Sequence, residues 1–216
     1  MENSNRVNEL CERAKNSVNK WRKEHFLPAV SFDMRYGIEN SLTKTMLLLS
    51  IVLPDDYVSI VNQFPYYSLE DNFNFFSFEA YTDEAKAYIS NDGTVVNDDI
   101  IIIDDNLYYR KQHNNIDKIL ILSAEIDVSF VLMFTQDSPE KPTPIVWCDY
   151  EDLYNYSETG KFKYKIDKWD SFTDFFEYLV EQEEKAQEDE RNTSTLIQQP
   201  EPLAKKGFWS RLFGRK

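Results

Sequence analysis

Between Lys118 and Tyr150 the chain carries three short apolar runs, "KILILSA", "VSFVLMFT" and "PIVWCDY". Each is strand-sized, rich in β-branched and aromatic residues, and set off from the next by polar or proline-containing residues. Turns this short join antiparallel neighbours, because a parallel pair needs a long crossover. These runs are therefore expected to belong to a mostly antiparallel sheet.

The pattern extends in both directions. "NFNFFSFEAYT" and "AKAYIS" are aromatic-rich with partial alternation, and Asp92-Gly93 in "SNDGT" is a tight-hairpin signal, since that turn needs positive φ. In "TVVNDDIIIIDD", four isoleucines bounded by aspartate pairs predict a strand buried on both faces. "SETGKFKYKID" predicts a turn and a short strand alternating Phe162, Tyr164 and Ile166 against lysines.

Helices flank this region. Val7, Leu10, Cys11, Ala14, Val18 and Trp21 fall on one face, which predicts an amphipathic helix over 5–24. A second helix is expected over roughly 41–51. In "LPDDYVSIVNQF", Pro54 suits a first helical position, where its missing N–H costs nothing. Asp55 and Asp56 then meet the positive end of the helix dipole. Tyr57, Ile60, Val61 and Phe64 form the apolar stripe. Ser171 and Asp174 have the form of a capping box. Phe172, Phe175, Phe176, Leu179 and Val180 follow at i, i+3, i+4, i+7 and i+8, marking a closing helix. Where apolar residues vanish, in "EQEEKAQEDER", that helix either frays or projects as a solvated arm. The expected fold is α+β: N-terminal helices, a mostly antiparallel twisted sheet of about six strands, and a closing C-terminal helix. The expected divisions are an N-terminal helical extension over 1–40, the α+β domain over 41–184, an acidic arm and linker over 185–204, and a basic aromatic tail over 205–216.

The formal charge is -14 over 216 residues. From Asp55 to Asp105 there are twelve acidic residues against one basic residue, Lys86, a local net of -11. The last twelve residues, "KKGFWSRLFGRK", hold five basic and no acidic residues. An acidic body argues against direct nucleic-acid binding, which needs clustered lysine and arginine to release counterions. It attracts basic proteins and also keeps a chain soluble. Cys11 and Cys148 stand alone, fitting a reduced compartment better than a disulfide framework. No apolar h-region opens the chain and no apolar run reaches membrane length, so the expected location is cytoplasmic.

Chemistry-bearing patterns are sparse. His25 and His113 are far apart, without partners at metal-ligand spacing, and both read as surface residues. Five glycines in all offer no phosphate-cradling loop, and no nucleophile elbow or zincin pattern occurs. Asp98-Asp99 and Asp104-Asp105 could hold Mg²⁺ or Ca²⁺ in principle. Strand alternation would send one member of each pair to each face, with the pairs at opposite strand ends. The Asp92-Gly93 turn fails as a calcium loop, because Tyr88 takes the first ligand position and no glutamate stands six residues after Gly93. The expectation is a non-enzymatic protein with no metal and no cofactor.

With that order of elements, "LLLSIVLPDDYVSIVNQF", "KILILSAEIDVSFVLMFTQ", "PIVWCDYEDL" and "WDSFTDFFEYLVEQ" resemble the SUKH superfamily, the Smi–Knr-like proteins, over about residues 41–184. Leu53-Pro54, Tyr57 and Asn62 match its Leu-Pro-x-x-Tyr helix start. Ile119 to Phe134 resembles its central strand pair, and Pro144-Ile145-Val146 the Pro-Val strand that follows. Ser171, Phe172, Phe175 and Leu179 resemble its terminal helix. The family's Asn-Gly is Asn62-Gln63 here, and "SAEIDVS" replaces its glycine-rich turn. The resemblance implies a bacterial immunity protein that neutralises a cognate toxin, often a nuclease, or else a regulatory scaffold, and it brings no catalytic residues. It would give the acidic tract a role as a mimic of nucleic-acid charge, with Asp55, Asp56, Asp98, Asp99, Asp104 and Asp105 as partner-binding residues.

The tail supplies the alternative. Phe208, Trp209, Leu212 and Phe213 form one apolar edge of a short basic helix, suited to docking on an anionic membrane surface or a protein. That would make the chain an adaptor. Otherwise the tail is unstructured or folds back on the acidic arm.

Overall fold

The computed structural model describes residues 2–24, 26, 38–63, 99–125 and 129–196. Within them lie α1 (Glu2–Glu24), α2 (Ile38–Leu49), α3 (Asp55–Gln63), α4 (Asp99–Gln112), β1 (Ile119–Glu125), β2 (Ser129–Phe134), β3 (Ile145–Asp149), α5 (Tyr150–Thr159), β4 (Asp167–Trp169) and α6 (Phe172–Leu196). The class is α+β. The four strands form one antiparallel sheet in the order β1-β2-β3-β4.

The three apolar runs form β1 to β3, and their near-continuous hydrophobicity has a cause. Side chains alternate across a strand, and here both faces are covered. Leu120, Leu122, Val131, Met133 and Ile145 pack with α1, α2, α3 and α6. Ile119, Ile121, Phe130, Leu132, Val146 and Cys148 pack with Leu153 of α5 and the partly buried Phe134, Tyr156, Phe162 and Ile166. Segment 1–40 enters the first of these clusters through Val7, Leu10, Cys11 and Ala14.

Among the described residues β1 and β4 are the edges of the sheet, and each is managed. At β1 the register shifts between Ile121 and Ser123. There the buried Asn106 side chain of α4 accepts from Ile121 N (2.8 Å) and donates to Ile121 O (3.0 Å), standing in for a neighbouring strand. Arg110, one turn on, donates to Ile119 O at 3.1 Å and to Leu49 O at 2.6 Å. The second bond satisfies a carbonyl left open where α2 ends at Ser50, whose φ is 53°. At the other edge β4 has three residues, too short to invite pairing.

Several expectations are corrected. Ile100–Ile103 belong to α4, not to a strand. Four β-branched residues read equally well as a buried strand or part of a buried helix, and docking of α4 on β1 through Asn106 and Arg110 favours the helix. Residues 162–166 form no strand: the backbone N–H groups of Lys163 and Tyr164 donate to the buried carboxylate of Asp152 (2.8 and 3.0 Å), and pairing starts at Asp167. Instead α5 follows β3 directly, capped by Asp149, whose Oδ1 accepts from Asp152 N at 2.8 Å. It ends at Gly160, whose φ of 69° lets its N–H close on Tyr156 O at 2.7 Å. The expected strands over "NFNFFSFEAYT" and "AKAYIS", the Asp92-Gly93 turn and Phe64 lie outside the described residues.

The closing helix neither frays nor projects over the stretch expected to be an arm. It runs on to Leu196, parallel to α1, as successive pairs show: Arg6 with Asp174 and Glu177, Arg13 with Glu184, Trp21 with Glu190 and Glu24 with Arg191. Ser17 Oγ donates to Gln187 Oε1 at 3.4 Å between them, and Gln187 Nε2 donates to Glu183 Oε1 at 3.1 Å. These polar groups are buried. The seam therefore changes from apolar at Val7–Ala14 to hydrogen-bonded beyond it.

Candidate functional site

The helix start at Leu53–Tyr57 is built into the core. Leu53 and Tyr57 are buried, and the Tyr57 ring meets Phe172 edge-on at 4.8 Å. Burial pushes the Tyr57 phenol well above its usual range. Pro54 O accepts from Val58 N at 3.1 Å, so the proline acts as the cap preceding the helix. The two aspartates that follow have different surroundings. Asp55 is exposed, while its backbone N–H binds Pro139 O at 2.9 Å. Asp56 is half-buried, and its Oδ2 accepts from Thr173 N at 2.9 Å and from Thr173 Oγ1 at 3.0 Å.

That contact completes the cap of α6. Ser171 Oγ accepts from Asp174 N at 3.1 Å and its hydroxyl donates to Asp174 Oδ2 at 2.7 Å, the pairing the Ser171–Asp174 spacing predicted. Burial works against the Asp174 carboxylate, but the Ser171 hydrogen bond and Arg6 outweigh it and hold its pKa below the usual value.

The other acidic candidates are less fully placed. Asp98 lies outside the described residues, and Asp99, Asp104 and Asp105 are positions in α4. The segment between Asp99 and Asp104 is therefore helical, which corrects the expectation of a strand bracketed by the two aspartate pairs. Phe208, Trp209, Leu212 and Phe213 lie outside the described residues.

A site that sequence reading missed sits where α4 meets α5. His113, expected at the surface, is buried with 7% exposure. Its ring stacks on Tyr109 at 6.2 Å and meets Tyr150 and Tyr154 nearly edge-on, at 6.2 and 6.1 Å. His113 Nδ1 lies 3.3 Å from Ser157 Oγ. The serine hydroxyl donates to Tyr154 O at 2.7 Å, so its oxygen is left to accept from Nδ1–H. Nε2 is then the bare nitrogen, and among the described residues no group hydrogen-bonds to it. Burial lowers the His113 pKa, against a smaller opposing pull from the Glu158 carboxylate. Tyr109 and His113 at i, i+4 were a usable signal, hidden because the segment before them reads as a strand.

An open groove of ≈ 860 Å³ lies between α1 and α6, and its walls include Glu9, Arg13, Glu181, Lys185 and Glu188. Its walls carry both signs of charge, matching the ladder of ion pairs beside it. The thiols of Cys11 and Cys148 are buried, and burial pushes Cys11 up to about 12 and Cys148 higher still, so both are held as neutral core groups. Among the described residues no three His, Cys, Asp or Glu side chains converge as metal ligands, and no helix is long and apolar enough to cross a membrane. No protein-family description matches the chain, and neither a curated protein nor a solved structure matches it.

Proposed function

We propose that this chain is a non-enzymatic binding protein of the immunity type, which neutralises a basic protein toxin through an acidic surface. The observation that carries the reading is the charge distribution, with twelve acidic residues against one basic from Asp55 to Asp105. Such a tract steers a basic partner into encounter, and close charge pairs at an interface contribute to coupling. The SUKH resemblance supports the same role. Asp56 is engaged with Thr173, which leaves Asp55, Asp98, Asp99, Asp104 and Asp105 as the proposed partner-binding residues, and the last four are the ones to neutralise first.

The experiment is recovery of the tagged chain from its native cell at low and moderate salt, followed by assay of whatever co-purifies. The expected result is a stoichiometric basic protein with toxic activity, silenced by this chain and released by salt. Neutralising Asp98, Asp99, Asp104 and Asp105 should abolish that recovery. The composition of the "KKGFWSRLFGRK" tail favours one other reading, an adaptor docked to membrane or a larger complex. Recovery of membrane material alone, lost on deleting 205–216, would overturn the immunity reading in its favour.

A further inference from the structure

We propose that His113 is an acid-sensitive latch, which holds α5 and the following loop over the sheet face opposite α1, α3 and α6 while neutral and releases them when it takes up a second proton.

The contact it makes is local and specific. The end of α4 and the loop after it reach α5 through two polar bonds to one residue, His113 Nδ1 to Ser157 Oγ and Asn115 Nδ2 to Ser157 O at 2.8 Å. Around them stand the rings of Tyr109 from α4 and of Tyr150 and Tyr154 from α5. Phe130 of β2 packs against both Tyr109 and Tyr150. The enclosure suits a neutral imidazole.

Protonation changes what the site must hold. The new N–H forms at Nε2, which is buried and has no acceptor among the described residues. A buried cation without a partner is costly. Glu158 favours the cation, but its effect is smaller than that of burial. On α4, Arg110 directs its guanidinium to Leu49 O and Ile119 O. The folded pKa thus lies below the ordinary 6.5. Stability contributed by neutral His113 is complete above that value and is lost as pH falls through the folded one.

Release would uncover what α5 covers. Leu153 belongs to one buried cluster with Ile119, Ile121, Phe130, Leu132 and Val146, and Tyr156 stacks on Phe162 at 4.8 Å. Acid would therefore expose an apolar face while the α1–α3–α6 side stays packed.

The test is amide exchange of the full chain at about pH 7.5 and about pH 5, which bracket histidine titration, corrected for intrinsic rates. Opening of 150–166 should rise at least about fivefold on acidification, where each tenfold weakening of proton binding on folding permits up to about tenfold. α1 and α3 should change less than about twofold on the same scale. His113→Phe and His113→Asn, the second keeping an N–H donor near Nδ1, should lose the response. An equal acid response in wild type and a folded variant, or one spread over α1 and α3, overturns the proposal. If neither variant folds, NMR of a His25→Gln chain leaves one histidine signal, and a midpoint at or above 6.5 overturns it as well.

Discussion

Asp56 Oδ2 accepts both the backbone N–H and the hydroxyl of Thr173, a residue 117 positions later in the chain. Together with Ser171, which takes the N–H of Asp174, it satisfies two of the donors that α6 would otherwise leave open. The start of α3 is thereby tied to the start of α6, beside the Tyr57–Phe172 ring contact.

Asp56→Ala should destabilise the fold by about 0.5–2 kcal/mol, the range for loss of a helix cap. Asp56→Asn, which retains an acceptor, should cost less than half of that. Urea unfolding at constant m measures both, and equal losses would contradict a capping role.

Asn106→Leu should cost about 2–4 kcal/mol, because it leaves Ile121 N–H and C=O buried at the sheet edge without their partner. Asn106→Asp should be at least as damaging, since a carboxylate cannot donate to Ile121 O. The same denaturation measurement decides, with exchange at Ile121 as the local reporter.

Gly160→Ala should cost about 1 kcal/mol. An added Cβ would meet nothing within 4 Å, so the penalty is purely that of holding φ at 69°. Gly160→Asn should cost less, as asparagine tolerates this region better. Thermal unfolding of the pair checks the order.

The Asp174 carboxyl should titrate below 3.8, its ordinary value, and Arg6→Met should raise its midpoint. Its depressed folded pKa contributes stability that is complete above 3.8 and is lost as pH falls through the folded value. Carboxyl carbon NMR gives the midpoint directly. Arg6 is nearly half exposed, so added salt should weaken the effect of the substitution.

Much of this fold was legible in periodicity. Val7, Leu10, Cys11 and Ala14 are buried on α1, and Phe172, Phe175, Phe176, Leu179 and Val180 on α6, as their helical spacing predicts. β1, β2 and β3 occupy the three apolar runs. α5 had signals that went unused: Asp149 at the cap, Glu151 and Asp152 in the first turn, and Gly160 after the end. Of the candidate site, the exposed Asp55 and half-buried Asp56 were indistinguishable in sequence, because their difference is a contact with Thr173.

The sequence by itself determined which segments bury a face, since burial must follow the 3.6 or 2.0 period of the backbone. It also determined the caps at Ser171 and Gly160, which are local chemistry. Tertiary structure alone decided that Ile100–Ile103 are helical, that 181–191 dock along α1, that Asp56 is a joint and that His113 is enclosed by tyrosines. Each of those depends on a neighbour distant in the chain — Ile121, Arg13, Thr173 and Ser157 among them. Local preference is worth tenths of a kcal/mol to about 1 kcal/mol per residue, and a satisfied buried contact outweighs it.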